Sequence, residues 1–375
     1  MQKVLFVYFE PQASGQTTHV LSLANGLNKE KYAITVVLPS HLLQSISAFR
    51  QTGVTVIPLP MTKILWHPKS IASLVHLIRE QEFDIVHVHS QEAGLLARIF
   101  SRAAGAKSII YTPQCTSIRH SNWLWLYRSI EKILSFITDK IISVSEIDRT
   151  RIIQWGIPAS KVITINNGID HRLTNDPIDV PAWKEMFDLG GQDPLVMQVG
   201  RLTYQKNPLA FVEGAAQVID EMPNVQFLLV GEGPLLDDVE NTIMELGIQG
   251  NVRCLGRRDN ADKLISIADV ITLTSRWEGL PYVLLEAMAW SRPVVTTAVN
   301  GCTELVENGV TGFLVPKDDV TSWANCVIEI LNDVQRSIKM GQNGNKRLID
   351  YFSLEKMIAQ IEGLYDELML NPAKI

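Results

Sequence analysis

Glu278-Gly279-Leu280-Pro281-Tyr282-Val283-Leu284-Leu285-Glu286 decides how this chain reads. Two carboxylates stand eight positions apart, and the first opens a Gly-Leu-Pro turn. Ahead of it lies the apolar, β-branched run Val270 to Thr274. Behind it, Ala287-Met288-Ala289 continues a helical pattern. The segment predicts strand, tight loop and helix. Pro281 suits the first helical turn, where an N–H would have no intrahelical acceptor. The backbone N–H groups of Gly279, Leu280 and the first turn would point out of the helix start. That end carries partial positive charge and accepts anions, so a phosphate fits there with Glu278 beside it. Glu286 lies just over two turns on and reaches the same ligand only if the helix runs alongside it. Neutral polyol hydroxyls suit both carboxylates, because an ionised carboxylate is a strong hydrogen-bond acceptor.

Working outward, apolar β-branched runs alternate with longer helical patterns. The first set covers 4–9, 34–39, 54–59, 84–89, 108–112, 140–145 and 162–165. The alternation restarts at 195–200 and continues through 226–231, 252–256, 270–275, 293–297 and 312–316. Amphipathic stretches such as Thr18 to Asn28 and Ser70 to Gln81 lie between. Strand–helix alternation implies α/β architecture, with parallel sheets covered on both faces. The breakers Pro177, Pro181, Gly190, Gly191 and Pro194 mark a linker between the two sets. The expected organisation is a domain over 1–176, a linker over 177–193 and a second domain over 194–352. A terminal helix over 353–375 would cross back to the first domain.

Composition agrees. A length of 375 residues exceeds most single cores and suits two domains. A hydrophobic share of 46% with 20% charge is that of a folded globular chain. A net charge of −6 argues against nucleic acid as the main partner. Cys115, Cys254, Cys302 and Cys326 are scattered, with no metal-ligand spacing, so reduced thiols in the cytoplasm are expected. The chain enters a strand at Lys3 without a signal-peptide layout, and no apolar run approaches a membrane span.

Arg201 and Lys206 follow directly after a strand. Loops at the carboxyl ends of parallel strands are where open α/β sheets hold ligands. Two cations there could clamp a diphosphate, Arg bidentately and Lys as a point charge. The loop Glu10 to Thr17 after the first strand lacks the G-x-G-x-x-G fingerprint of nicotinamide enzymes. Its Gly15, next to Gln16, still allows close approach of a phosphate. His87 and His89 alternate on one strand and share a face, with His89 nearer the strand end where clefts open. A metal there would need further ligands.

Several phrases together resemble one family. Glu278 to Ala289 resembles the Glu-x7-Glu signature of retaining nucleotide-sugar glycosyltransferases of the family-4 type, glycosyl transferases group 1. Gly200-Arg201-Leu202-Thr203-Tyr204-Gln205-Lys206-Asn207-Pro208 is similar to its phosphate-binding segment. Val230-Gly231-Glu232-Gly233-Pro234 is similar to its Gly-rich loop, and Asn166-Asn167-Gly168-Ile169-Asp170 to its interdomain phrase; Asp139 to Glu146 adds a further match. The resemblance spans nearly the whole chain. It implies the GT-B fold, two Rossmann-like parallel-sheet domains facing a central cleft, with the donor on the second domain and the acceptor on the first. It implies that Arg201 and Lys206 hold the donor diphosphate, Glu278 the donor sugar and Glu286 the ribose. Gly15, Gln16, His89, Gln114, Gly231, Arg257, Gly279 and Leu280 complete the implied donor-binding set. Gln114 stands where the family usually has a histidine assigned to the reacting centre. Glutamine hydrogen-bonds but does not titrate. Gln114 either orients a sugar hydroxyl or marks an enzyme that works differently or poorly.

The implied activity is transfer of a sugar from a UDP- or GDP-sugar to a hydroxyl of a glycan or lipid-linked glycan, in polysaccharide or glycolipid synthesis. No D-x-D phrase is present, so no metal and no cofactor are expected. No acidic side chain stands out in the first-domain motifs, which ranks a double displacement below same-face attack. The competitors are a catalytically impaired nucleotide-sugar-binding module, a sugar-nucleotide epimerase and a phosphorylase. Lys63 to Lys69, centred on Trp66, reads either as an ordinary loop or as a contact with the inner face of the cell membrane. Helix 122–138, with Trp123, Trp125 and Tyr127, admits the same membrane-interface reading, but the helical spacing of Leu126, Ile130, Ile133 and Ile137 favours core packing.

Overall fold

The computed structural model describes residues 1–10, 15–61, 68–116, 124–174, 178–187, 189 and 193–370. The β-branched runs form two all-parallel sheets. The first contains β1 (Gln2–Tyr8), β2 (Tyr32–Pro39), β3 (Thr55–Leu59), β4 (Ile85–His89), β5 (Ser108–Thr112), β6 (Lys140–Ser143) and β7 (Val162–Thr164). Their spatial order is β3-β2-β1-β4-β5-β6-β7. The second contains β8 (Leu195–Val199), β9 (Gln226–Val230), β10 (Val252–Gly256), β11 (Val270–Leu273), β12 (Val294–Thr297) and β13 (Gly312–Val315). Its order is β10-β9-β8-β11-β12-β13. Each sheet grows outward from its first strand, then reverses to that strand's other side. The reversals lie at β1/β4 and β8/β11.

Two-faced burial explains the uninterrupted apolar runs. Every residue of β4 and β5 is buried. Along β1, Val4, Phe6 and Tyr8 join one core and Leu5 and Val7 the other, the period of two that a strand requires. In the second sheet, Val196, Phe227, Val270 and Val295 pack with Phe211 and Trp323. Gly214 admits that tryptophan, since a Cβ there would lie 2.4 Å from its ring.

The chain divides into Met1–Gly168 with Leu354–Ile375, and Ile169–Ser353. The crossings adjoin in the second unit, where Ile169 pairs with Ser353 and its N–H donates to Phe352 O at 3.2 Å. The stretch expected as linker starts no new unit; its described part holds a short helix, Val180–Met186, capped by Asp179. Helix Leu354–Leu370 packs in the first unit through Met357, Ile361, Leu364 and Tyr365. Lys31 pairs with its Asp366 at 2.7 Å.

Helix Leu124–Leu134 departs from the expected core stripe. Ile133 is 65% exposed, and Leu126, Ile130 and Ile137 are only half-buried. The helix is instead fastened by a charge. Arg98, on helix Gln91–Ala103, is fully buried and donates to both carboxylate oxygens of Glu131 at 2.8 and 2.9 Å. Its guanidinium lies 3.8 Å from the Tyr111 ring centre. Periodicity shows which residues share a face but not which face turns inward; here Glu131 and Leu134 do.

Removing one partner of this pair would leave a buried charge uncompensated. Glu131→Ala should cost ~3–5 kcal/mol of stability in urea unfolding. Arg98→Met with Glu131→Leu should recover most of the loss. A single mutant as stable as wild type would contradict this role.

Candidate functional site

In the second unit the loops leaving β8 and β11 diverge at the sheet reversal, the position where open α/β sheets form a ligand crevice. The β8 loop carries Arg201 and Lys206. It ends at Asn207, held left-handed at φ 49°, before Pro208 opens helix Pro208–Glu221. The β11 loop carries Ser275 to Pro281. Cross-loop hydrogen bonds lock the two together. Arg276 N–H donates to Gln205 O at 2.7 Å, and the Gln205 amide donates to Trp277 O at 3.0 Å. The Thr274 hydroxyl donates to Asn207 O at 2.8 Å.

This stitching brings Lys206 Nζ within 2.6 Å of Glu278 Oε1, and Ser275 Oγ donates to the same oxygen at 2.6 Å. Glu278 is 5% exposed. The two side chains, 72 positions apart, form one pair across the sheet reversal. Their charges compensate each other in the folded chain, so an arriving anion competes with Glu278 for Lys206. Arg201 is half-buried and has no ion-pair partner among the described residues. Its charge is available to a ligand.

The glycines support these loops. A Cβ on Gly231, at φ 146°, would lie 2.0 Å from Gly200 O. The Gly-rich loop therefore serves close packing beneath Arg201, a use that its expected contact with a ligand did not include. Gly301, unnoticed in the sequence, does the same for the other loop: a Cβ there would lie 1.9 Å from Gly279 O. Only knowledge that the β12 loop backs Gly279 could have singled it out. Gly279 and Leu280 are buried, and Pro281 is the N-cap of helix Tyr282–Ala289, one position earlier than expected.

Glu286 lies on that helix and is half-buried. Burial, with the nearby charge of Asp262, pushes its carboxyl up to about 7. Near neutral pH it both accepts and donates hydrogen bonds. Arg257 follows β10, the sheet edge; its backbone N–H donates to Glu232 Oε1 of the Gly-rich loop at 3.4 Å, and its exposed guanidinium lies 3.6 Å from Asp259.

In the first unit, sheet register aligns Tyr8, His89 and Thr112 at the carboxyl ends of β1, β4 and β5. Gly15 and Gln16 open helix Gly15–Gly26; residues 11–14 of the same loop lie outside the described residues. His89 is fully buried, not placed at an opening, and its ring centre lies 4.0 Å from that of His87. His87 bonds Tyr365 Oη at 2.8 Å and Thr112 Oγ1 at 2.7 Å, a structural role. Neither ring nitrogen of His89 has a hydrogen-bond partner among the described residues. Gln114 is buried with φ 67°, an unfavourable conformation for a residue with a side chain. A carboxylate also emerges, against expectation. Glu10, at the end of β1, is 3% exposed and accepts from Tyr8 Oη at 2.8 Å. It stood in the quoted loop, but nothing in the sequence signalled its burial.

Residues 179–347 match the family model described as glycosyl transferases group 1, and residues 13–173 match glycosyltransferase family 4. The chain is 30% identical over 311 residues to the UDP-Gal:alpha-D-GlcNAc-diphosphoundecaprenol alpha-1,3-galactosyltransferase of Escherichia coli, covering 81% of this chain and 80% of that protein. It is 25% identical over 303 residues to the N-acetyl-alpha-D-glucosaminyl L-malate synthase of Bacillus anthracis, covering 80% and 78%. The crystal structure of HepE from Anabaena in complex with UDP and glucose superposes with a TM-score of 0.87 at 22% identity, covering 98% of this chain and all of that one.

The buried histidines make the first unit acid-sensitive. Burial pushes His19 down to about 4, and His87 and His89 well below their ordinary value. The folded rings stay neutral while the unfolded rings protonate below about 6.5, so this stability is full above that pH and lost as pH falls. His19 alone contributes up to about 3 kcal/mol to the loss. In a Glu286→Gln background, which removes the opposite contribution of that raised carboxyl, urea midpoints should drop from pH ~6.5 to ~5. A flat profile there would contradict neutral burial.

Proposed function

Since the chain belongs to the glycosyl transferases group 1 family, of family-4 type, and is a GT-B glycosyltransferase of glycan or glycolipid synthesis, we propose that it transfers a sugar from a nucleoside-diphosphate-sugar to an acceptor hydroxyl, with retention and without a metal. The observation that carries this reading is the Lys206–Glu278 pair at the sheet reversal of the second unit, with Arg201, which has no ion-pair partner among the described residues, on the same loop as Lys206.

In this reading Arg201 and Lys206 hold the donor diphosphate, and the N–H groups of Gly279 and Leu280 assist. As the phosphate draws on Lys206, Glu278 turns its acceptor capacity to the sugar hydroxyls. Glu286 takes the ribose. The C1–phosphate bond breaks as the acceptor oxygen bonds to C1 on the same face, and the acceptor proton passes to the departing oxygen. Charge developing on that oxygen is stabilised by the two cations, the largest contribution the chain makes. Glu10 is engaged by Tyr8 in the first unit, which keeps a double displacement second.

The donor is a UDP- or GDP-sugar. HepE was crystallised with UDP and glucose, and the Escherichia coli relative is named for UDP-Gal. The acceptor is a glycan or lipid-linked glycan, as in that relative's name, and the place of action is the cytoplasm at the inner face of the membrane. Among the described residues no helix is long and apolar enough to cross a membrane. The Lys63-to-His67 part of the loop expected to touch the bilayer lies outside the described residues.

Donor binding and turnover test the reading. Arg201→Ala and Lys206→Ala should each cost roughly 1.5–3 kcal/mol of nucleoside-diphosphate affinity by calorimetry. Unchanged affinity and turnover in both would remove the clamp. Glu278→Gln should impair transfer far more than free-nucleotide binding, whereas Glu286→Gln should weaken both. Equal loss of nucleotide binding in the two contradicts the division of roles. Turnover should also survive excess EDTA; abolition, with rescue by Mg²⁺ or Mn²⁺, would replace cation clamping with metal assistance.

A further inference from the structure

The β8 and β11 loops carry more than the Lys206–Glu278 pair. Tyr204 lies two positions ahead of Lys206, and Arg276 and Trp277 lie directly ahead of Glu278. Tyr204 is 43% exposed. Its ring centre lies 6.0 Å from that of Trp277 and 4.2 Å from the Arg276 guanidinium. Arg276 is held at two points: Nη1 donates to Tyr204 O at 2.9 Å, and Nε lies 3.3 Å from Asp318 Oδ1. Asp318 follows β13 and is left-handed at φ 62°, an unfavourable conformation for a residue with a side chain. The Asn207 amide helps to hold it there, donating to the same Oδ1 at 3.1 Å. Three loops thus fix one surface, and that surface has spare hydrogen-bonding capacity. Arg276 Nη2, the Trp277 indole N–H and Asp318 Oδ2 have no hydrogen-bond partner among the described residues, and all three reach solvent.

We propose that this surface binds a neutral sugar ring of the acceptor glycan beside the transfer centre, an inference that rests on the glycosyl-transfer reading above. A pyranose offers an apolar C–H face to an aromatic ring and a rim of hydroxyls that both donate and accept. Tyr204 meets the first. Arg276 Nη2 and the Trp277 N–H supply donors for the second, and Asp318 Oδ2 an acceptor. Arg276 and Asp318 balance each other's charge, so the surface favours a neutral sugar over a phosphate or a carboxylate. A protein partner would need a larger apolar centre. Among the described residues, Tyr204 is the one large apolar side chain exposed on the β8, β11 and β13 loops. The nucleoside belongs elsewhere in the same reading. Its ribose goes to Glu286, whose neighbour Asp262 follows β10. β10 and β13 are opposite edges of the sheet. The surface is also preformed, which lowers the ordering cost of binding. A sugar held here extends acceptor recognition onto the second unit, directly ahead of Glu278 in the chain.

Saturation-transfer NMR of the full chain, with excess UDP present, tests this. The probes are methyl α-glucoside, methyl α-galactoside, methyl α-mannoside and methyl N-acetyl-α-glucosaminide. At least one should receive saturation, from wild type and from Glu278→Gln alike. Tyr204→Ser removes the ring but leaves the carbonyl that holds Arg276, and should weaken that glycoside roughly tenfold, the worth of one aromatic contact. Asp318→Asn keeps Oδ1 for Asn207 and Arg276 while turning the open oxygen into a donor, and should also weaken it roughly tenfold. Both variants should keep wild-type affinity for UDP, which shows that the loops have not moved. The proposal is overturned if none of these glycosides receives saturation from wild type, or if both variants bind them as wild type does. It is equally overturned if Glu278→Gln abolishes the signal, because the sugar then sits in the donor's place, or if Tyr204→Ser weakens UDP, because the ring then serves the nucleotide. Absence of transfer with every donor and acceptor would remove the functional reading, and the glycoside result would still decide the surface.

Discussion

A lysine and a glutamate held 2.6 Å apart at the carboxyl ends of β8 and β11 are the interaction on which the donor reading depends. Glu278 could not be buried there alone, because an isolated buried charge costs several kcal/mol. Together, with Ser275 on the shared oxygen, they make a polar centre that the chain tolerates empty and that an anion perturbs. The locked loops set the spacing. The sheet reversal sets the location, since only there do adjacent strands send their loops in opposite directions. Arg201, on the same loop and without an ion-pair partner among the described residues, gives the centre its surplus positive charge.

The two units use the same construction with different chemistry. In the second, loop glycines let backbones close to contact, leaving charged side chains at the reversal. In the first, the corresponding strand ends carry Tyr8, Glu10, His89 and Gln114, all buried, with the histidine neutral. One arrangement suits a diphosphate. The other has little net positive charge to offer and suits hydroxyls, which is why the proposed reading gives it the acceptor. The left-handed backbone of Gln114 places strain just past the end of β5, so this strand end is held by its surroundings rather than by its own preference.

The strands were legible because parallel sheets bury both faces and write themselves as β-branched runs. The β11 loop and its helix were legible from Gly279-Leu280-Pro281. Pairing was not: Lys206 and Glu278 looked like separate binding residues, because side-chain contact between distant loops leaves no local trace. Breakers at 177–194 suggested a linker, whereas the contacts divide at Gly168 and Ile169; flexibility of composition and the point where contacts change hands are different properties. Ile133 kept the spacing of a core residue yet faces water, because Arg98 chose the buried side of its helix.

The two glutamates of the opening phrase show why spacing alone does not assign roles. Glu278 sits against Lys206, so its charge is matched and its remaining capacity is to accept. Glu286 has no ion-pair partner among the described residues; burial and Asp262 raise its carboxyl to about 7. At neutral pH it is shared between forms that accept only and forms that also donate. A vicinal diol offers both donors and acceptors, and a carboxyl poised between its two forms meets either. A sugar hydroxyl beside a leaving phosphate instead needs an acceptor whose charge is already balanced, so that it adds no repulsion as the phosphate becomes more negative. In the proposed reading, these environments, set by which loop each residue meets, are why Glu286 would take the ribose and Glu278 the transferred sugar.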